Sequence, residues 1–285
     1  MKPYGETMKR TFALATALAG SLLLHGSTSE IKVSFSPDCT DYVSGERIRG
    51  VVDVLNASAR KVSVGYANSE DRLFIEVFRA DDRSQLDKVS STPMTARFVI
   101  EPNQGQKLEV FLADHYDLLE ERRYLVRPVL VHEGNRYEGM TKSINVVTGM
   151  KLASALQLFE GRDELRRNFE IVKWSRRGND HLFLAARDEG SERRNWVTTD
   201  LGSFLRVTKP VISIMKTGVV VVLHRLDPET FVRSEFWSVP NGIELVGRER
   251  VQDPEMAGQN RVRELYNTPG NEVKPPERHW WEFWK

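Results

Sequence analysis

Cysteine is almost missing from this 285-residue chain: Cys39 stands alone. That excludes a disulfide scaffold and a zinc knot built on cysteine pairs. A surplus of either charge is missing too, because 41 Lys and Arg face 40 Asp and Glu. No global positive field exists to draw in nucleic acid, so none is expected as a partner. Beyond the N-terminus there is no uncharged apolar run of the length a spanning helix needs, roughly 20 residues. Nor does the sequence carry a Lys-Ser/Thr phosphate loop, a His-Glu-x-x-His helix, a Gly-x-Ser-x-Gly elbow or a calcium loop. No catalytic residue, metal ligand or cofactor is therefore expected. The composition, 40% hydrophobic and 28% charged, is that of an ordinary globular chain. The length favours two domains at about 150 residues each.

What is present begins with an address. Lys2, Lys9 and Arg10 precede an uncharged stretch from Thr11 to Leu24, and small residues follow, with Ser27 and Ser29 ahead of Glu30. This order reads as a signal peptide over residues 1–29. The expected location is outside the cytoplasm: periplasm, cell surface or extracellular space. Cys39 lies past this signal in Ser-Pro-Asp-Cys, without the surroundings of a lipoprotein site. Asn56-Ala57-Ser58 is a glycosylation triplet, meaningful only in a host that glycosylates exported proteins.

From Ile31 to Val147 the pattern has period two, broken by turn residues about every ten positions. About eight short strands of this kind predict an antiparallel β-sandwich over 30–148. Gly50-Val-Val-Asp-Val-Leu-Asn56 followed by Lys61-Val-Ser-Val64, and the Tyr116–Leu130 region around Tyr124, resemble bacterial exported immunoglobulin-like β-sandwich modules. The resemblance implies a structural role for Tyr124, whose hydroxyl would cap backbone just upstream as in a tyrosine corner, and a binding or spacer role for the module. Arg122 stands where the family carries a glycine, and the family's cysteine pair is absent.

After Gly149 the character changes, and all six tryptophans fall between Trp174 and Trp284. Apolar or alternating segments separated by Arg177-Gly-Asn, Asp188-Glu-Gly, Leu226-Asp-Pro-Glu and Pro240-Asn-Gly predict a second antiparallel β-domain over 149–252. An offset of about 40 residues lays Trp196 on Phe236 and Gly202 on Gly242, a possible blade-like repeat of four strands; any meander with similar turns gives the same offset. Residues 253–285 are expected to hold a short helix opened by Asp253-Pro-Glu255, a Pro275-Pro276 linker and an aromatic tail. In that tail Trp280, Trp281, Phe283 and Trp284 are the candidate binding residues, either packed on the chain itself or docked to a partner.

Two other clusters have a bland and a chemical reading. Asp114, His115 and Asp117 form the densest polar group, suited to a cation or to acid–base work, but a solvated loop between two strands accounts for it more simply. The pairs Arg122-Arg123, Arg166-Arg167, Arg176-Arg177 and Arg193-Arg194, interleaved with Phe169, Trp174 and Trp196, suit a surface for single-stranded nucleic acid or an anionic glycan, but charged, solvated strand edges account for them more simply. The expected function is an exported, non-enzymatic binding or scaffolding protein of the cell envelope, its partner an envelope protein or glycan. Alternatives are a carbohydrate-active hydrolase or its accessory subunit, and a structural spacer of a surface assembly.

Overall fold

A computed structural model describes residues 30–65, 70–159, 166–189, 196–239 and 242–252. The proposed signal, Arg193-Arg194, the expected helix and the aromatic tail lie outside the described residues. What is described is all-β, with one short 3-10 turn at Leu112–Asp114.

The N-terminal strands are β1 (Ile31–Pro37), β2 (Asp41–Val43), β3 (Arg49–Asn56), β4 (Val62–Val64) and β5 (Arg72–Arg79). They continue with β6 (Phe98–Ile100), β7 (Gln104–Phe111), β8 (Arg122–His132), β9 (Asn135–Glu138) and β10 (Lys142–Val147). Alternation decides their faces: in β1, Ile31, Val33 and Phe35 are buried while Lys32, Ser34 and Ser36 are exposed. One sheet runs β1-β3-β7, a second runs β2-β10-β8-β5 with β9 also on β8, and β4 pairs with β6. The two larger sheets share a single apolar core, in which Phe35, Val52 and Val110 meet Ile75, Tyr124, Val126 and Ile144. This is a sandwich-like arrangement. It is not wholly antiparallel, because β2 runs parallel to β10. Asn56 is fully buried, and its carboxamide donates to the carbonyls of Arg60 and Ile100 at 2.7 and 3.1 Å. The folded chain therefore withholds the one glycosylation triplet noted above.

The C-terminal strands are β11 (Met150–Leu158), β12 (Arg166–Arg176), β13 (Asn179–Glu189) and β14 (Trp196–Ser203), then β15 (Val211–Ile214), β16 (Val219–Arg225), β17 (Phe231–Val239) and β18 (Gly242–Val251). Each set of four forms an antiparallel meander in sequence order. Between β12 and β13 the turn is made by Arg177 and Gly178 alone, both with positive φ (52° and 82°). That is the geometry a two-residue hairpin demands of its central positions. The two meanders face one another across Phe169, Ile171, Leu184, Val220, Val222 and Phe236. A unit of four strands thus occurs twice, but the 40-residue offset does not relate equivalent strands. It lays Trp196 of β14, a fourth strand, on Phe236 of β17, a third one.

The two parts touch directly. One face of the first meander looks toward the second, and the other carries Val172, Phe183, Ala185 and Trp174, which pack on Val43 and Val147. Thr198 donates its backbone N–H to Gly45 O at 2.8 Å and its hydroxyl to Ser44 O at 2.6 Å. Gly45 has φ +82°, and a Cβ there would collide with the Trp196 indole, so this close approach needs glycine.

Candidate functional site at the junction

The site follows from register. Glu170 lies opposite Ala185, and Arg187 opposite Trp196, so these side chains share the outer face of the first meander. Val43, Ser44, Thr148 and Gly149 approach that face from the N-terminal sheets. Together with Lys151 and Val172 they line a cleft of about 140 Å³. At roughly 30 Å³ per water this holds four or five waters, well below the roughly 300 Å³ at which ordinary ligand pockets begin. Such a cleft accepts one side chain or one substituent of a larger molecule.

Its chemistry is mixed. The Arg187 guanidinium lies 3.7 Å from the centroid of the Trp196 ring, a close cation–π contact. Glu170 accepts from Lys151 Nζ at 3.0 Å and sits 3.8 Å from Arg187. Arg187 Nε and Trp196 Nε1 are buried N–H donors without a hydrogen-bond partner among the described residues. Buried donors normally have acceptors, so these two are polar groups of the cleft lining that the chain itself leaves to spare among its described residues.

Beside the cleft, a polar clamp fixes the two halves. Arg176 Nη2 donates to Glu46 Oε2 at 2.6 Å, and Glu46 in turn accepts the Val43 N–H at 3.0 Å. Arg176 also reaches Asp200 at 3.3 Å, and His181 Nδ1 lies 3.2 Å from the same carboxylate. Burial raises the Glu46 carboxyl above its usual range, against the pull of Arg176.

The residues singled out in the sequence are dispersed. Asp114 forms an exposed pair with Arg47 at 2.8 Å, and Asp117 accepts the Leu119 N–H at 3.3 Å. His115 is buried rather than solvated, and burial lowers its pKa. These three do not converge, and no group of three or more potential metal ligands occurs among the described residues. Tyr124 is buried and its hydroxyl donates to Glu120 O at 3.2 Å.

The arginine pairs are not uniformly solvated edges. Arg122 pairs with Glu120 at 3.0 Å, whereas Arg167 is buried to 1% exposure. Arg167 donates from Nε and Nη2 to both oxygens of Asp188 at 2.5 and 2.9 Å. Its Nη1 reaches Ser238 Oγ, Val239 O and Gly242 O on the second meander at 2.9, 2.6 and 2.6 Å. It is a pin between meanders. The signal was available: Arg167, Phe169 and Ile171 are alternate residues of one strand and must share its inward face.

No family model matches the chain, and comparison with curated proteins gives no match. Among solved structures it is similar to the sporulation control protein Spo0M of Bacillus subtilis, at 13% identity and TM-score 0.29, over 84% of this chain and 96% of that one. It is also similar to red sea bream transglutaminase, at 10% identity and TM-score 0.31, over 79% of this chain and 31% of that one. A DUF4784 family protein from Bacteroides caccae follows at 9% identity and TM-score 0.18, over 78% and 71%. These scores are too low to carry fold or function across. The all-β class rests on the strands themselves. No helix among the described residues is long and apolar enough to cross a membrane.

Proposed function

We propose that the chain is an exported, non-enzymatic binding or scaffolding protein of the cell envelope that grips one group of an envelope protein or glycan in the junction cleft. The observation that carries this reading is the cleft: too small for a whole ligand, lined by Trp196 stacked on Arg187, and set between two locked halves. A binding protein gains by such a site, because a preordered cleft lowers the entropy lost on association. The basic, apolar and small-residue order of residues 1–29 supports export.

The test compares the full chain with Arg187→Gln and Trp196→Ala for capture of isolated envelope proteins and for binding to an array of envelope glycans. One defined partner should bind, and both variants should bind it at least about tenfold more weakly while unfolding cooperatively. Unchanged binding by both variants removes the cleft from the reading. Turnover of a glycan, abolished by a carboxylate substitution, overturns the non-enzymatic part.

A further inference from the structure

A second surface lies on the outer face of the N-terminal sheet that contains β5, β8 and β9. In β5, Leu73, Ile75 and Val77 point into the core, so alternation sends Arg72, Phe74, Glu76 and Phe78 outward. Phe74 lies opposite Val129 of β8, which in turn lies opposite Glu138 of β9. The Phe74 ring is half-buried and has three cations around it. Arg72 lies 5.4 Å from its centroid, Lys88 5.6 Å and Arg136 5.7 Å.

The three cations differ in one respect. Arg136 is neutralised, donating to Glu76 at 2.7 Å and to Glu138 at 2.6 Å. Arg127 shares both carboxylates, at 2.7 and 2.9 Å. Arg72 and Lys88 have no carboxylate within ion-pair distance among the described residues. The nearby Asp71 is engaged elsewhere, with His132 at 2.7 Å and the Glu133 N–H at 2.9 Å. Partial desolvation against its neighbours, and then the charge of Arg72, push the exposed Lys88 ammonium below its ordinary range. Two like charges are thus held together over one aromatic ring with no acid between them. That arrangement repels itself until an anion enters.

We infer that Arg72 and Lys88, set over Phe74, form a binding subsite for the acid group of an anionic sugar. The composition of the patch selects this class. Four cations against two carboxylates leave two local positive charges, enough for one or two acid groups and too few for a run of phosphates. Phe74 adds a half-buried apolar surface beside the charges, and an acidic sugar presents both an anion and a ring face of C–H groups. Binding is therefore expected to weaken with salt and to require the acid. This surface is separate from the junction cleft, shares no residue with it, and does not depend on that reading.

The experiment titrates the full chain with a fluorescent oligogalacturonate and with the neutral oligogalactose of equal length. The acidic oligomer should bind, more weakly as salt rises, and the neutral one at least about tenfold more weakly. Arg72→Gln with Lys88→Gln should cost at least about tenfold in affinity for the acidic oligomer, and Phe74→Leu a smaller factor. Both cations are exposed, so the double variant should keep the unfolding temperature of the parent. Trp196→Ala should leave this binding unchanged, which separates it from the junction. Equal affinity for the neutral oligomer, an unaffected double variant, or tighter binding to an oligoglutamate or to anionic lipid vesicles would each overturn the proposal.

Discussion

The N-terminal sheets and the C-terminal meanders close their interiors by different means. Among the described residues the first core is a large apolar set, running from Ile31 and Phe35 to Ile144 and Val146, and the charges of that half stand at or near its surface. The second core is smaller, reaching from Phe169 to Phe236, and polar groups bracket it. At one end Arg167 reaches from the first meander into the second. Arg248 reaches back, donating to Ser234 Oγ and Asp200 O, both at 3.2 Å. Near it lies His224, on the same inward face as Val220 and Val222. Apolar burial supplies free energy without direction, whereas a buried guanidinium tolerates one geometry. Two small meanders with little apolar area between them can slide; the buried Arg167, aimed at named carbonyls, holds one alignment.

The comparison breaks most visibly at Asp188. Removing its carboxylate by Asp188→Ala leaves Arg167 charged and buried, at an expected cost of about 3–5 kcal/mol. Urea unfolding should show a loss of that order, with the C-terminal tryptophans reporting it. A loss below about 1 kcal/mol, the range of an exposed pair, would mean that the Asp188 carboxylate is not what stabilises the buried Arg167 charge.

An intermediate effect is expected at His224, and it depends on pH. Burial, with the Arg248 charge second, depresses the His224 pKa from 6.5 to about 4, while the Ser203 backbone pulls weakly the other way. Between those values the unfolded chain binds a proton that the folded chain refuses, so stability rises with pH across this window. The contribution is complete above about pH 6.5 and is lost as pH falls toward 4, about 3 kcal/mol in all. His224→Leu should flatten the pH dependence of the urea midpoint by that amount over pH 4–7. An equal slope in parent and variant would place the acid sensitivity elsewhere.

The smallest effect tests the other half. Arg47 and Asp114 are 62% and 47% exposed, so Asp114→Asn should change the unfolding free energy by less than about 1 kcal/mol. A larger loss would show that the sandwich, too, leans on charge.

Much of the fold was legible because strands announce themselves by period. Ile31-Lys-Val-Ser-Phe35 has one way to hide its apolar residues, and the Arg177-Gly178 and Asp227-Pro228 breaks mark where chains reverse. The junction cleft was not legible. Trp196 and Arg187 are nine positions apart with a turn between, and Val43 and Ser44 come from more than a hundred residues away. The charge at Arg72 and Lys88 was equally hidden, since what distinguishes them from other basic residues is that the fold gathers both over the ring of Phe74. Partners are a property of space.

By itself, then, the sequence determined the all-β class, many of the turns and the inward face of strands such as β1 and β3, because side-chain alternation is a local rule of the extended backbone. In sequence Arg167 reads as part of a solvated edge, although the spacing from Phe169 and Ile171 puts it on the inward face. Only the tertiary structure decided that this buried arginine finds Asp188 and three acceptors on the facing meander. It also decided that Asn56 is spent on backbone carbonyls, that β2 runs parallel to β10, and that Phe74 gathers Arg72 and Lys88. Pairing energies depend on distance and burial between residues far apart in the chain, and neither quantity exists until the sheets have packed.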